Sequence, residues 1–261
     1  GATRWLDLGF ISFQPSEVAK IGIIIFYSAL LTRNRDKLKS ITDGFFKPLL
    51  WLLPIIGIVL ILQNHFSATL VLCALAVILM LLAGCRLRYF IIIGAPIVAV
   101  GISALLFKGQ GFRLQRFITF LDPWQDASGD GWQIIQSLYA IGSGGLFGVG
   151  LGESKQKYLY IPEPHNDFIF AVLAEELGFI GCALVIALFA VLVWRGITIA
   201  MKAPDMFGNL LAAGITSMIA LQVLINIAVV TSSMPVTGMP LPFFSYGGTA
   251  LMIILAAVGI L

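Results

Sequence analysis

The chain reads as an all-α integral membrane protein, a polytopic helical bundle, on three observations. Hydrophobic residues fill 59% of its 261 positions and charged residues only 11%, against about 25% charged in an ordinary soluble domain. Several uncharged runs approach or exceed the roughly 20 residues needed to cross ~30 Å of hydrocarbon. Lys and Arg gather in alternate connections between those runs, the asymmetry that orients a chain in a membrane.

The apolar runs predict about seven transmembrane helices, near 16–32, 48–62, 68–84, 90–107, 168–194, 208–230 and 246–261. Pro15 suits the first turn of the first span, where its missing N–H costs nothing. Arg33, Arg35, Lys37, Lys39 and Lys47 crowd the first connection, Arg86 and Arg88 the third, Arg195 and Lys202 the fifth. Residues 33–47, 85–89 and 195–207 are therefore expected in the cytoplasm, and the intervening connections outside it. Gly1 follows no initiator Met or leader, and Leu261 falls inside an apolar run. The expectation is a single transmembrane domain over 1–261, trimmed at both ends from a longer protein.

A net charge of +3 without a basic stripe excludes a nucleic-acid partner. Cys73, Cys85 and Cys182 lie within or at the ends of apolar runs, so neither a disulfide framework nor a zinc site is expected.

The long connection 108–167, expected outside the cytoplasm, carries five basic and six acidic residues. A loop of this length is functional or disordered, and its aromatics argue for order. Within Trp132–Ile141, Ile134, Ile135, Leu138 and Ile141 line one face, with Gln133, Gln136 and Ser137 off it. That pattern predicts a short helix lying on the bilayer surface.

Chemistry is sought where polar loop becomes apolar helix, in Pro162-Glu163-Pro164-His165-Asn166-Asp167-Phe168. Locally, Asp167 fits an N-cap best, a role compatible with chemistry, since a capping carboxylate at headgroup depth can still face a ligand there. Glu175 and Glu176 lie two turns further on, where a charge costs roughly 2.5–3.5 kcal/mol on insertion scales. At 100° per residue Glu175 falls within about 80° of Asp167 and Glu176 nearly opposite. Glu175 is thus the better cavity residue, and a structural ion pair with Lys20 is the plainer reading. Glu17 and Lys20, three apart on one face, are set to pair locally. The run Gly142–Gly152 holds six glycines but neither a dinucleotide fingerprint nor a P-loop. Turns and close backbone approach explain it better than a phosphate or sugar cradle. Pro235, Pro240 and Pro242 precede Phe243–Thr249, an uncharged connection read as packing; His65 is read as structural.

Together these segments resemble the SEDS family of bacterial cell-wall polymerases, the FtsW, RodA and SpoVE proteins. The resemblance rests on Gly1-Ala2-Thr3-Arg4-Trp5, on Gln14-Pro15-Ser16-Glu17 with Lys20, and on Asp122-Pro123-Trp124 followed by Gly131-Trp132-Gln133 and Gln136-Ser137-Leu138. It continues through the glycine run, Pro162-Glu163 with His165 and Asp167-Phe168-Ile169-Phe170, Glu175-Glu176-Leu177-Gly178, and Pro242 with Ser245-Tyr246-Gly247-Gly248. The glycine run and the 162–170 string look closer to FtsW and SpoVE than to RodA. The chain departs from the pattern at Gln63-Asn64-His65-Phe66-Ser67-Ala68, where the family commonly has an aspartate, so no role of that residue carries over.

The resemblance implies ten spans in the family, of which those here match the fourth to the tenth, in a bacterial cell (inner) membrane. It implies polymerisation of lipid II, a disaccharide-pentapeptide on undecaprenyl diphosphate, in division, elongation or sporulation, alongside a class B penicillin-binding protein transpeptidase. The family's essential aspartate maps onto Asp167. The acceptor attacks through a hydroxyl and a lipid diphosphate leaves, so the reaction needs a base and positive charge. Asp167 is the expected base, its pKa raised by burial beside Phe168 and Phe170. Arg4, Lys20, Lys108, Arg113, Arg116, Lys155 and Lys157 are candidates for the diphosphate, and Glu163 and His165 for the sugar side. No cofactor is demanded; a divalent cation, Mg or Mn, would suit the diphosphate. A lipid II transporter using Glu175, Glu176 and Lys20, or a scaffold that only recruits the transpeptidase, are the rival readings.

Overall fold

The structure, a computed structural model, describes residues 6–7, 12–63, 66–94, 96, 119–129, 131–155 and 166–261. A two-residue antiparallel pair, β1 (Leu6–Asp7) with β2 (Ser12–Phe13), precedes the helices. The principal helices are α1 (Pro15–Arg33), α2 (Lys47–Gln63), α3 (Phe66–Leu82), α4 (Trp132–Gly144), α5 (Ile169–Lys202), α6 (Met206–Val230) and α7 (Gly248–Ile260). Among the described residues, Pro15–Arg33, Thr42–Val59, Ile169–Lys202 and Met206–Val230 are long and apolar enough to cross a membrane, and Ser67–Leu82 and Gly248–Ile260 are shorter apolar helices. The protein is a multi-pass membrane protein. The span predicted at 90–107 is described at its beginning, where helical turns run through Leu87–Tyr89 and Phe90–Gly94; 97–107 lie outside the described residues.

Two boundaries differ from the sequence reading. Helix α5 runs on to Lys202, so Arg195 is helical and the connection to α6 shrinks to 203–205. The first connection is ordered, with helical turns at Arg35–Lys37 and Thr42–Phe46.

The chain divides into two compact units: residues 1–96, 192–221 and 247–261 form the first, and 97–191 with 222–246 the second. In the first, α1 packs against α2, α3 and α7. Ile23, Ile24, Tyr27 and Leu31 face inward, while Val18, Ile25 and Phe26 point out, as a lipid-facing side would. Gly214 of α6 permits close approach, since a Cβ there would meet the side chains of Ile24 and Leu79. The Tyr27 hydroxyl donates to the Pro48 carbonyl at 2.6 Å.

The first and third connections lie against each other, as two loops on one membrane side must be free to do. The Cys85 thiol donates to the Gly44 carbonyl at 3.0 Å and the Tyr89 hydroxyl to the Lys39 carbonyl at 3.3 Å. The Phe45 ring meets Phe90 edge-on at 5.0 Å. Burial pushes the Cys85 thiol up to about 11.

In the second unit α4 exists as predicted, but its inward face differs. Gln136 and Ser137 are buried with Ile134, Ile135 and Ala140, and the Ser137 hydroxyl donates to the Val230 carbonyl at 2.8 Å. Ser137, Ala140 and Gly144 form a small-residue stripe at helical spacing, so α4 packs on protein through it as well as through Ile134 and Ile135.

The local pairing of Glu17 with Lys20 is present at 2.7 Å, both side chains buried. Removing one partner strands a buried charge at a cost of about 3–5 kcal/mol. Glu17→Ala is therefore expected to lower the melting temperature of the full-length protein more than the double change Glu17→Leu with Lys20→Met, read by thermal denaturation in detergent.

Candidate functional site

Helix α5 begins at Ile169, so Phe168 stands at the cap position and its carbonyl accepts the N–H groups of Ala171 and Val172 at 2.9 and 3.4 Å. Asp167 precedes it in a turn with Asn166 and is half-buried, while Phe168 and Phe170 beside it are buried. The residue thus sits one position before the cap expected from the local pattern. Because it lies off the helix, the angle drawn between it and Glu175 does not apply.

Two side chains from elsewhere in the unit hold this turn by its backbone. Asn226 of α6 donates through Nδ2 to the Asp167 carbonyl at 2.9 Å and to the Met239 carbonyl at 2.7 Å. Ser245 donates to the Asn166 carbonyl at 2.6 Å and accepts the Leu241 N–H at 2.7 Å. The 231–247 connection, read from sequence as packing, does pack: Met239 and Leu241 are buried, and Phe189 of α5 stacks on Phe243 with centroids 6.3 Å apart. It also supplies two of these contacts. The sequence reading passed over Asn226, although a polar residue inside an apolar span is itself a signal. Gln222, one turn earlier, repeats that signal: it is fully buried, with neither side-chain polar atom hydrogen-bonded among the described residues.

The glycine run closes around a break in α5. Gly178 adopts φ 67° and ψ −168°, which interrupts the helix ladder. The break would orphan the carbonyls of Glu175 and Glu176 and the N–H groups of Phe179 and Ile180. The loop after α4 satisfies all four. Val149 and Gly150 donate to Glu175 and Glu176 at 2.9 and 3.1 Å, and Phe179 and Ile180 donate to Gly145 and Leu146 at 2.9 and 3.2 Å. These backbones meet closely, since a Cβ on Gly148 would strike the Glu176 carbonyl and one on Gly144 the Ala174 carbonyl. The amides of Gly148, Val149 and Gly150 are spent on protein carbonyls, so they cradle no phosphate.

Glu175 is buried, but by this clasp rather than by an ion pair with Lys20. It accepts the Ser154 hydroxyl at 2.5 Å and the Lys155 N–H at 3.1 Å, one on each carboxylate oxygen. Lys20 is buried on Glu17. Glu176 is half-buried, and the Lys155 side chain is exposed. Asp122 caps the Pro123–Asp126 turn through the Trp124 N–H at 3.2 Å, which gives the Asp-Pro-Trp motif a local structural role. Arg4, His65, Lys108, Arg113, Arg116, Lys157, Glu163 and His165 lie outside the described residues. Among the described residues no three His, Cys, Asp or Glu side chains are grouped to hold a metal ion.

Comparison with known proteins gives one answer throughout. The family described as "Cell cycle protein", which groups FtsW, RodA and SpoVE, matches residues 1–261. "Stage V sporulation protein E" of Bacillus subtilis (strain 168) is 45% identical over 263 residues, covering 100% of this chain and 70% of its own length. "Probable peptidoglycan glycosyltransferase FtsW" of Geobacter sp. (strain M18) is 45% identical over 262 residues, with the same two coverages. A solved structure titled "Structural coordination of polymerization and crosslinking by a peptidoglycan synthase complex" superposes with a TM-score of 0.83 at 31% identity, over 100% of this chain and 72% of that one. The crystal structure of the rod shape determining protein RodA of Thermus thermophilus gives 0.67 at 30% identity, over 100% and 68%.

The clasp carries a stability test. Gly148→Ala adds a Cβ at φ 79° against the Glu176 carbonyl, which is expected to cost roughly 2–5 kcal/mol. Gly142→Ala, where a Cβ meets nothing among the described residues, is expected to change little. Denaturation of the two variants side by side checks the contrast.

Proposed function

We infer that this chain, which belongs to the FtsW/RodA/SpoVE family, is a peptidoglycan glycosyltransferase that polymerises lipid II, with Asp167 as the general base. The observation that carries the assignment of the base is the placement of Asp167: half-buried, at the mouth of a membrane helix, on a turn held from two other elements. A lipid-linked diphosphate lies at headgroup depth, the level of a loop-to-span boundary.

In the reaction the acceptor hydroxyl oxygen forms a bond to the anomeric carbon of the donor sugar. The bond from that carbon to the diphosphate oxygen breaks, undecaprenyl diphosphate leaves with the electron pair, and the hydroxyl proton passes to Asp167. The negative charge on the leaving group calls for cations. Lys155 presents an exposed ammonium near the end of the glycine clasp, and Arg4, Lys108, Arg113, Arg116 and Lys157 are the other cations proposed from the sequence, with Glu163 and His165 on the sugar side. Lys20 is assigned to structure, because burial and Glu17 already commit it. A Mg or Mn ion would add charge neutralisation for the leaving group, although the described residues offer no grouped ligands for it. The transporter reading loses support, since Glu175 is held by Ser154 and the Lys155 amide and Lys20 by Glu17.

The partner proposed is a class B penicillin-binding protein, supported by the likeness to a structure titled as a synthase complex. Residues 33–47, 85–89 and 195–207 are proposed to face the cytoplasm and 108–167 the outside, supported by the Lys and Arg pattern and by the mutual packing of the first and third connections.

Full-length protein with its transpeptidase, incubated with lipid II, is expected to make glycan strands. Asp167→Asn is expected to lower the rate at least 10²-fold, the lower end of what a positioned base contributes. Undiminished polymerisation by that variant would remove Asp167 from the chemistry. For sidedness, a cysteine at exposed Ser128 should react with a membrane-impermeant maleimide in intact spheroplasts, and one at Lys37 only after lysis. The reverse pattern would invert the topology.

A further inference from the structure

We propose that Asn226 and Ser245 are positioning residues for the glycosyl transfer, setting the direction in which the Asp167 carboxylate leaves the backbone. This rests on the reading of Asp167 as the base. A peptide unit is planar, so fixing a carbonyl fixes the plane that carries it. The Asn166 carbonyl belongs to the plane before the Asp167 Cα, and the Asp167 carbonyl to the plane after it. Ser245 holds the first at 2.6 Å and Asn226 the second at 2.9 Å. With both planes held, φ and ψ of Asp167 are set and its Cα–Cβ bond points one way.

The holders are themselves fixed. Asn226 is 1% exposed and bridges two carbonyls. Because both of its partners are acceptors, only the Nδ2-inward orientation of the amide is possible. Its Oδ1 has no hydrogen-bond partner among the described residues, while the Nδ2 half of the buried amide makes both of its bonds. A leucine would suit the surrounding span better on burial grounds alone. Ser245 is oriented in turn by the Leu241 N–H, and Asn226 binds the same 239–245 segment through Met239. The turn carrying Asp167, the end of α6 and the segment before α7 thus form one hydrogen-bonded unit. The start of α5 is secured separately, by the Phe168 carbonyl and the glycine clasp. Loss of Asn226 or Ser245 should therefore misdirect the carboxylate without unfolding the helix.

The test uses full-length protein with its transpeptidase partner and lipid II, reading kcat, KM and melting temperature for Asn226→Leu, Ser245→Ala and Ser245→Thr, with Asp167→Asn in parallel. Asn226→Leu and Ser245→Ala are expected to lower kcat at least tenfold, with KM within about twofold and a cooperative melt retained. Ser245→Thr keeps the hydroxyl and should recover activity to within about threefold of the parent. Unchanged kcat in the folded variants overturns the proposal. So does a loss that Ser245→Thr fails to restore, or one that follows the fall in melting temperature, since either marks a structural role alone. If Asn226→Leu does not accumulate, the Ser245 pair decides by the same criteria. Activity retained in Asp167→Asn would sink the base assignment itself, a result separable from any behaviour of the other variants.

Discussion

A helix inside a membrane cannot break without its freed backbone groups finding protein partners, because no water is there to take them. The interruption of α5 at Gly178 meets that constraint with the glycine-rich loop after α4, whose backbone supplies two donors and two acceptors at the break. The loop can come so close only because Gly144, Gly148 and Gly178 lack side chains at the points of contact. Each unmet group would cost several kcal/mol, so the position of α4, the burial of Glu175 under Ser154 and the start of α5 all follow from closing this gap.

What the clasp achieves for function is a rigid short segment, Ile169–Leu177, carrying a polar turn at its mouth. Burial of Phe168 and Phe170 seats the segment, and the side chains of Asn226 and Ser245 hold the turn. Asp167 is then presented by elements that are far apart in sequence but share one unit. A base has to sit within hydrogen-bond reach of the proton it takes, and a carboxylate on an unrestrained loop would spend little time there. The other buried charges, Glu17, Lys20 and Glu175, have local partners and serve the scaffold.

Much of this was legible in the sequence, unevenly and for physical reasons. Apolar runs announce helices because their length is set by the bilayer, and Glu17 with Lys20 announces a pair because three residues is one turn. The family resemblance pointed to Asp167 and is matched by relatives over the whole chain. The cap position was missed by one residue, since an Asp in the last turn before a helix and one at its cap look alike without the backbone. Glu175 was assigned a cation because the sequence cannot show that Ser154 and the Lys155 amide reach it first. The burial of Gln136 and Ser137 on α4 went unseen because a stripe of small residues gives way to Ile and Leu in any hydrophobic pattern. Asn226 was readable as a polar residue in an apolar span, but its partners, Asp167 and Met239, are set by tertiary contact and leave no trace in local spacing.

The central claim is that the carboxylate of Asp167 takes the acceptor's proton. The most direct measurement is a high-resolution structure of the full-length complex with lipid II and a non-reactive acceptor analogue bound. The account predicts the Asp167 carboxylate within about 2.6–3.2 Å of the attacking hydroxyl, or joined to it through one water. A bound acceptor whose hydroxyl is met by another side chain, with Asp167 turned away, would contradict it.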